Sequence, residues 1–433
     1  MYDSLDRGDI WASPQHASDD VAYHRDAPSD VLRRHQEDAA AAAKAGLKGI
    51  QSRAAQLFPL IADERVLKFA WDYLASRGGT APGRNGHRYS DYRSSEAWSL
   101  CRALRDVIRG GSYQPAQPRI IWVAKGSGRG ERPLALLDIE DRVVQRAAVL
   151  VLQPLLDPLF GDHSFGSRPK RDHLHALAAA EGFAISQRRL FWTGNDITNA
   201  FMNVPVSRLV QVIRKLLPDD QLNDFVATVL QPAGSKGLLQ GGPLSPLMLG
   251  IYLRHFLGRP WELEAPQVPL ILYADDLLAL CSTRDEAAAA HERMTRLLLP
   301  TGLSLKYSAE ESIRDLGAGE ATQWLGFGIR LDGGRLTYSL TERAWRRLAN
   351  QLAAAHAKSD ASLRAYRLAE QWLVHRGPCY AHDQLDEIFT RIRLTARRNG
   401  FEEIPSDSYL RERFQRAFAR WRKIRKSKEP DPV

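Results

Sequence analysis

Hydrophobic residues recur at helical spacing over two stretches near the beginning of the chain. Apolar side chains repeat every three or four positions across 28–77, and the same spacing returns across 94–109, immediately before Gly110 and Gly111. This spacing predicts amphipathic helices, and the paired glycines are typical of a helix C-terminus. We therefore expect helical structure here, preceded by a flexible polar segment.

Short apolar runs follow these helices. RIIWVAK (119–125) and RPLALLD (132–138) flank the glycine-rich segment GSGRGE. Two short apolar runs separated by a glycine-rich turn predict a β-hairpin. Helical spacing then returns over 141–156.

The middle third of the chain alternates apolar runs with amphipathic segments. LFWTGNDI (190–197) and LILYADDLLALC (270–281) predict buried strands, and a last hairpin is predicted over 324–339, with its turn at 332–334. Alternation of this kind predicts an α+β fold, with helices packed on one face of a sheet. The other predicted helices cover 207–217, 219–230, 285–299 and the chain beyond the last hairpin.

Composition assigns these elements to a globular protein. The chain has 433 residues, 44% of them hydrophobic and 26% charged, which predicts two or three packed subdomains. The polar N-terminus does not resemble a signal peptide, and no apolar run approaches the roughly 20 residues that span a bilayer. Three widely separated cysteines match no metal-site spacing and are expected to be buried thiols in a reducing cytoplasm. We expect no membrane partner.

Nearly all of the net positive charge lies at the C-terminal end. The net charge is +9, and residues 341–433 hold 20 Lys and Arg against 12 Asp and Glu. Within 408–428, apolar residues fall on one helical face, expected to pack on helices near 342–356 and 362–375, and basic residues occupy the other faces. Such a module predicts binding to a phosphate backbone. A solvated helix face without a ligand is the alternative.

Two acidic segments supply the candidate chemistry. YADD (273–276) lies inside an apolar run, and Asp196 follows the apolar residues LFW. Adjacent aspartates in a buried strand are unfavourable unless a cation compensates them, and they share one target only at a bend or hairpin tip. If the two strands are neighbours, Asp196 and Asp275 can hold a pair of Mg²⁺ ions through oxygen ligands. An Asp-Asp pair that ends a strand and caps a helix is the alternative.

Seven segments of the chain follow one another in a recognisable order. They are RPLALLDIEDRVVQRA (132–147), SFGSRPKRDHLHAL (164–177), NDITNAFMNVP (195–205), QGGPLSPLMLGIYL (240–253), YADD (273–276), TGLSLKYS (301–308) and WLGFGI (324–329). Together they resemble the successive blocks of bacterial reverse transcriptases, closest in style to the group II intron lineage. The resemblance suggests a stand-alone, defence-associated member of that family.

The resemblance implies an α+β right-hand polymerase fold. Its parts are fingers, a palm built on an antiparallel sheet with packed helices of the split βαβ type, and an α-helical thumb. The expected N-terminal extension covers 1–60 and is partly flexible and helical. The expected fingers cover 61–190, with a fingertip hairpin at 119–138, and the expected palm covers 191–340, with the catalytic strands and a primer-grip hairpin. A basic thumb and RNA-binding module is expected over 341–433.

The resemblance also implies roles for individual residues. Asp196, Asp275 and Asp276 are the expected catalytic carboxylates, and with the backbone carbonyl of Ile197 they are expected to bind two Mg²⁺ ions, for which Mn²⁺ can substitute. Phe201 matches an aromatic steric gate that excludes ribonucleotides, with a core phenylalanine as the alternative. The other residues expected to contact the nucleotide are Lys125, Arg132, Gln240 and Ile197. The residues expected to contact the primer are Trp324, Leu325 and Gly326. The thumb residues expected to contact nucleic acid are Arg411, Arg416, Arg420 and Lys423.

Two segments depart from the family pattern. Relatives commonly read GLxLNxxKT where this chain reads GLSLKYSAEES, so the lysine proposed as a general acid for pyrophosphate is missing and Lys306 is the substitute candidate. Asn203 stands where relatives often carry an aspartate.

The expected function is RNA-directed DNA synthesis in the bacterial cytoplasm. The expected partners are a structured non-coding RNA template, a DNA primer or product and dNTPs, in an anti-phage system, with a homo-oligomer or an accessory protein left open. Four alternatives remain at this point: a group II intron-type enzyme, a CRISPR-associated reverse transcriptase, untemplated or protein-primed DNA synthesis, and a non-enzymatic, maturase-like RNA-binding protein.

Overall fold

The N-terminal part of the protein is helical, as the hydrophobic spacing predicts. The structure, a computed structural model, describes residues 28–77, 81–124, 130–356, 360–380 and 384–427. The predicted helix over 28–77 is divided into four, because the chain turns at Gly46, which has a positive φ of 72°, and again before Arg53 and Asp63. The helices are α1 (Pro28–Lys44), α2 (Gly46–Ser52), α3 (Ala54–Ile61), α4 (Glu64–Arg77) and α5 (Ser94–Arg109).

The predicted hairpin at 119–138 is present. Strands β1 (Arg119–Ala124) and β2 (Glu131–Leu136) pair antiparallel, with Trp122 opposite Pro133. Lys125 lies outside the described residues.

Helix α6 (Ile139–Leu156) corrects one expectation. Together with the following turn it forms a segment, Ile139–Phe160, that is long and apolar enough to cross a membrane by length and composition. The sequence prediction that no such segment exists was therefore wrong. However, 67% of the apolar window is buried inside the protein, where α6 packs against α1, α3 and α4, as expected of a core helix.

A four-stranded antiparallel sheet forms the centre of the structure. Its strands, in the order β4-β5-β3-β6, are β3 (Phe191–Asp196), β4 (Leu270–Tyr273), β5 (Asp276–Cys281) and β6 (Ile313–Asp315). The apolar run at 270–281 is thus two strands joined by a tight turn at Ala274 and Asp275. The helices between the strands are α7 (His173–Ser186), α8 (Ala200–Asn203), α9 (Val206–Leu216), α10 (Asp220–Leu230), α11 (Ser245–Leu253), α12 (Arg259–Glu264), α13 (Arg284–Leu298) and α14 (Ala309–Ser312).

Helices cover both faces of this sheet, whereas the sequence led us to expect one. Leu277 and Ala279 of β5 belong to a core shared with α13, and Leu278 and Leu280 belong to a second core shared with α7. Side chains alternate along a strand, so a strand that is apolar at every position requires cover on both sides.

A second antiparallel sheet leads into the C-terminal helices. Its strands are β7 (Thr322–Trp324), β8 (Phe327–Asp332) and β9 (Arg335–Leu340), and the turn at Gly333 and Gly334 confirms the predicted hairpin, to which β7 adds a third strand. The chain continues through α15 (Glu342–Ala355), α16 (Ala361–Val374), α17 (Leu385–Arg398) and α18 (Asp407–Lys426).

Helix α18 packs mainly on α16 and α7. Leu410, Phe414 and Trp421 on its apolar face are buried, as predicted, and Phe418 stacks on Tyr380 with 4.1 Å between ring centroids. The contact with α7 was not predicted from the sequence, and it joins the C-terminal helices to the central sheet.

Candidate active site

Three aspartates meet at one end of the central sheet. Asp196 ends β3 and lies directly opposite Asp276, the first residue of β5. Asp275 occupies the turn between β4 and β5, whose other residue, Ala274, has a positive φ of 54°. The Ile197 amide donates a 3.0 Å hydrogen bond to the Asp275 carbonyl, which ties the turn to the end of β3. The predicted convergence of these three residues from neighbouring strands is therefore present.

The local environment disfavours charge on two of these carboxyl groups. Burial raises the pKa of Asp275 to about 6, and the nearby Asp196 carboxylate acts in the same direction. Burial likewise raises the pKa of Asp276 to about 7, with further contributions from Asp196 and Asp275. Carboxylates that are held together and partly withdrawn from water need a compensating cation.

The donor set fits a divalent metal ion. The three side chains present only carboxylate oxygens, which Mg²⁺ prefers over softer ligands. The Ile197 side chain is a buried hydrocarbon without a donor atom, so Ile197 could contribute only its backbone carbonyl oxygen.

A loop packs behind the turn at Ala274 and Asp275, the candidate catalytic turn, and holds it in place. The Phe165 amide donates to the Leu272 carbonyl at 2.8 Å, and the Leu272 amide donates to the His163 carbonyl at 2.9 Å, so this loop pairs with the outer edge of β4. Gly166 passes so close to the turn that a methyl group there would overlap the Ala274 amide nitrogen. This segment is one of the blocks that resemble the family, but its sequence did not predict this supporting contact.

The loop is itself fixed by Arg168. This side chain is buried, donates two hydrogen bonds of 2.9 Å to the Asp157 carboxylate, and also donates to the Ser164 carbonyl at 2.8 Å. A bidentate guanidinium–carboxylate pair holds both groups in one geometry. Arg168 therefore positions the backbone that supports the catalytic turn.

The segment after α13 lies along the end of β3. Asn195 is buried, its side-chain amide donates to the Tyr307 carbonyl at 2.8 Å, and its side-chain oxygen accepts from the amides of Lys306 and Tyr307. The Lys306 ammonium group donates to the Asp196 carboxylate at 3.0 Å. Lys306, named from the sequence only as a substitute candidate, thus touches a predicted metal ligand directly.

Phe201 lies beside the catalytic turn. It is half-buried and lines a narrow cavity together with Gly166, Leu272 and Ala274. The chain reaches it through Asn199, whose positive φ of 46° turns the backbone out of β3 and into α8. The Asn203 side chain donates to the Thr198 carbonyl at 2.9 Å and closes this turn, which gives a structural role to a residue that departs from the family pattern.

Gln240 and Arg132 come from the hairpin side of the site. The Ala135 amide of β2 donates to the Gln240 carbonyl at 2.6 Å. Gly241, with a positive φ of 110°, leaves no room for a side chain beside the Ala135 carbonyl. The positive charge of Arg132 opposes the rise in the pKa of Asp275, behind the larger effects of burial and Asp196. Arg132 is therefore close enough to Asp275 to influence its charge, and the Gln240 backbone is fixed beside β2.

A comparison with protein families identifies this region. Residues 123–317 match the family described as "Reverse transcriptase (RNA-dependent DNA polymerase)". The chain therefore contains a reverse transcriptase domain over these residues. The matched residues include all three aspartates, Phe201, Gln240 and Lys306, and they end before β7.

Curated relatives resemble this reverse transcriptase domain over part of their length. Protein YkfC of Escherichia coli strain K12 is 29% identical over 195 residues, which are 42% of this chain and 51% of YkfC. The group II intron-encoded protein LtrA of Lactococcus lactis subsp. cremoris is 26% identical over 188 residues, which are 41% of this chain and 30% of LtrA. The chain therefore spans about half of the first relative and less than a third of the second.

Among solved structures, a chain of a partial Cas6-RT-Cas1–Cas2 complex resembles this protein. The similarity covers 55% of this chain and 40% of that chain, at 21% identity and a TM-score of 0.34.

The predicted primer contacts lie at the turn between β7 and β8. Leu325 and Gly326 form this turn with positive φ values of 49° and 87°, and a side chain at Gly326 would meet open space. Trp324 is buried and packs edge-on against Trp192 of β3, 6.4 Å between centroids. A side chain at Gly328 would meet the Ser339 hydroxyl of β9, which would have to rotate away.

Three of the four basic residues predicted to contact nucleic acid in the thumb form ion pairs within the protein, and the fourth, Lys423, is exposed. Arg411 pairs with Asp386 of α17 at 2.6 Å, and Arg416 pairs with Glu412 one turn earlier in α18. Arg420 pairs with Asp172 at the start of α7. Contact of these four residues with nucleic acid stays a prediction.

A group of metal-capable side chains lies away from the aspartates, where α7 meets the C-terminal helices. Asp172, His173 and His375 place ligand atoms within 4.8 Å of one another. Asp172 already accepts from the amides of Leu174 and His175 and pairs with Arg420, so its carboxylate is occupied by donors. Sequence spacing did not reveal this group, because His375 is distant from the other two along the chain.

Proposed function

We propose that this protein is an RNA-directed DNA polymerase that adds dNTPs to a primer by phosphoryl transfer. The observation that carries the proposal is the meeting of Asp196, Asp275 and Asp276 at the end of two paired strands. In this proposal, 61–190 serves as fingers, 191–340 as palm and 341–433 as thumb, after an N-terminal extension over 1–60.

The three aspartates are proposed to hold two Mg²⁺ ions, with the Ile197 carbonyl as a further ligand. Ions held by these residues would supply positive charge that lowers the barrier to phosphoryl transfer. The protein supplies carboxylates that are already assembled, because the strand register, the Ile197–Asp275 hydrogen bond and the loop at Gly166 fix them.

The nucleotide is proposed to bind between the β1–β2 hairpin and the catalytic turn. Arg132 contributes positive charge for the triphosphate, as Lys125 is expected to do, and Gln240 is held beside β2 by its backbone. Phe201, which lines a cavity with Ala274, is proposed to exclude a 2′-hydroxyl group by steric clash and so to select deoxynucleotides.

Nucleic acid is proposed to lie across the second sheet and the C-terminal helices. The turn at Leu325 and Gly326 would contact the primer, and the positive charge of 341–433 would attract the phosphate backbone. We propose a structured non-coding RNA as the template, in an anti-phage system of the bacterial cytoplasm. The similarity to the group II intron-encoded protein LtrA favours an intron-type enzyme as the second candidate.

Primer extension tests the polymerase proposal. The double variant Asp275→Ala/Asp276→Ala should lose dNTP incorporation on an RNA template with a DNA primer while it retains RNA binding. Asp224→Ala, at an exposed carboxylate of α10, is the matched control and should retain incorporation. Incorporation by the double variant at the wild-type rate would refute the proposal.

Sequencing tests the template proposal. The nucleic acid that co-purifies with the protein should contain one defined structured RNA, and the DNA product should be complementary to it. A product of unchanged sequence after removal of that RNA would indicate untemplated synthesis instead.

A further inference from the structure

Backbone hydrogen bonds place Lys306 beside Asp196. The Thr198 amide donates to the Ser304 carbonyl at 2.9 Å, and the Lys306 amide donates to the Asp196 carbonyl at 2.9 Å. Ile197 and Leu305 form a bridge between these two bonds. Three successive residues of this segment therefore pair with the end of β3, so the position of Lys306 is set by the fold rather than by its flexible side chain.

The side chain then forms an ion pair with a predicted metal ligand. The ammonium nitrogen lies 3.0 Å from Oδ2 of Asp196, and the two side chains are 47% and 29% exposed. The same nitrogen lies 4.9 Å from the centre of the Tyr307 ring, whose face attracts cations. Other cations, Arg132 and Arg343, influence Asp275 and Asp276 through space.

We propose that Lys306 is a positioning residue that holds the Asp196 carboxylate when no divalent ion is bound and competes with the ion for that oxygen. The inference rests on the metal site of the proposed function. An ammonium group on Oδ2 compensates one of three clustered negative charges and keeps Asp196 oriented toward the site. A divalent ion that takes this oxygen must displace the ammonium group, so Lys306 weakens metal binding while it preserves the geometry of the ligand.

Manganese binding tests the inference without any polymerase assay. Free Mn²⁺ is counted by electron paramagnetic resonance during titration of the full-length protein, with no nucleic acid or nucleotide present. Lys306→Met removes the charge at similar side-chain length, and Lys306→Arg keeps it. Arg343→Met is the matched control, because it removes a cation that influences Asp276, a neighbour of Asp196, through space. Asp196→Asn identifies the binding that belongs to this site.

The variants are expected to differ in Mn²⁺ affinity in a definite order. Lys306→Met should bind Mn²⁺ about fivefold more tightly than wild type, as expected for loss of one half-exposed ion pair. Lys306→Arg and Arg343→Met should stay within about twofold of wild type. If Lys306→Met fails to fold, as judged by circular dichroism, Lys306→Gln takes its place with the same expectation.

Three outcomes would overturn the inference. Mn²⁺ affinity that is unchanged or weaker in Lys306→Met would show that the lysine does not compete. An equal gain in Arg343→Met would show a general effect of charge rather than a contact. Absence of binding that depends on Asp196 in the wild type would refute the metal site and this inference together. By contrast, the expected ranking in a protein that fails primer extension would refute only the proposed function.

Discussion

Asp196 lies directly opposite Asp276 across β3 and β5, so two carboxyl groups face each other at the end of the sheet. Like charges at directly opposed positions destabilise a strand pair. Burial raises the pKa of Asp276 to about 7, and Asp196 and Asp275 add to the rise. Without a metal ion, the catalytic arrangement therefore lowers the stability of the fold that carries it.

This relationship predicts a stabilising substitution. The pKa of Asp276 is higher in the folded than in the unfolded state, so the folded protein binds more protons between about pH 4 and pH 7. The free energy of unfolding therefore falls as pH rises through that window. Asp276→Asn prevents the loss of stability that occurs when Asp276 ionises. It should therefore raise the free energy of unfolding by about 1–2 kcal/mol at pH 8, with little effect at pH 4.

Urea unfolding in the presence of a chelator measures this difference. Asp224→Asn, at an exposed carboxylate of α10, is the control and should have the same free energy of unfolding as the wild type at both pH values. Added Mg²⁺ should stabilise the wild type more than Asp276→Asn, because a ligand stabilises the state that binds it. A wild type that is more stable than Asp276→Asn at pH 8 without metal would contradict the electrostatic account.

A second prediction concerns the loop behind the catalytic turn. A methyl group at Gly166 would overlap the Ala274 amide nitrogen, so Gly166→Ala must displace either the loop or the turn. We expect a loss of about 1–3 kcal/mol in the free energy of unfolding, together with reduced dNTP incorporation. Gly194→Ala in β3 is the control, because its added methyl group would meet only Leu278, at 3.9 Å. Equal behaviour of the two variants would mean that the loop does not support the turn.

The position of the aspartates was predictable because it depends on short patterns of apolar and acidic residues along the chain. Apolar runs predicted the strands, although 270–281 was expected to be one strand. Adjacent aspartates could share one target only at a bend or a hairpin tip, and the structure has a hairpin tip at Ala274 and Asp275. The last hairpin was predictable in the same way from Gly333 and Gly334.

Contacts between distant segments were not predictable. The pairing of Lys306 with Asp196 depends on how the segment after α13 lies on β3, and the pairing of Arg420 with Asp172 depends on how α18 lies on α7. Neither follows from the spacing of residues along the chain, because each joins residues more than a hundred positions apart. A spacing pattern reports which face of an element is apolar, but it does not report which element covers that face.

A third prediction concerns selection of the sugar. Phe201 is half-buried beside the catalytic turn, where removal of its ring would open space next to Ala274. Phe201→Ala should therefore raise ribonucleotide incorporation relative to deoxynucleotide incorporation by about 10- to 100-fold, measured as the ratio of the two kcat/KM values. Phe225→Ala, which removes a core ring of α10, controls for a general loss of packing and should leave that ratio unchanged. An unchanged ratio in Phe201→Ala would favour the alternative of a core phenylalanine.

The last prediction concerns the attachment of α18 to α7. Glu181 of α7 is buried, accepts a 2.7 Å hydrogen bond from the Tyr338 hydroxyl, and pairs with Arg425 of α18 at 2.6 Å. Glu181→Gln keeps the shape but removes the charge, so it should lower the free energy of unfolding by about 1–3 kcal/mol, as expected when a buried charged hydrogen bond is lost.

Glu412→Gln provides the matched control for this prediction. Glu412 pairs with Arg416 within α18, and both side chains are exposed, so the loss should be below about 0.5 kcal/mol. Urea unfolding of both variants measures the comparison, and a proteolysis assay should show earlier cleavage of the C-terminal helices in Glu181→Gln, because α18 is held less firmly. If the two variants lost the same stability, the Glu181–Arg425 pair would contribute no more than a surface ion pair, and α18 would have to be held on α7 by other contacts, such as the Arg420–Asp172 pair.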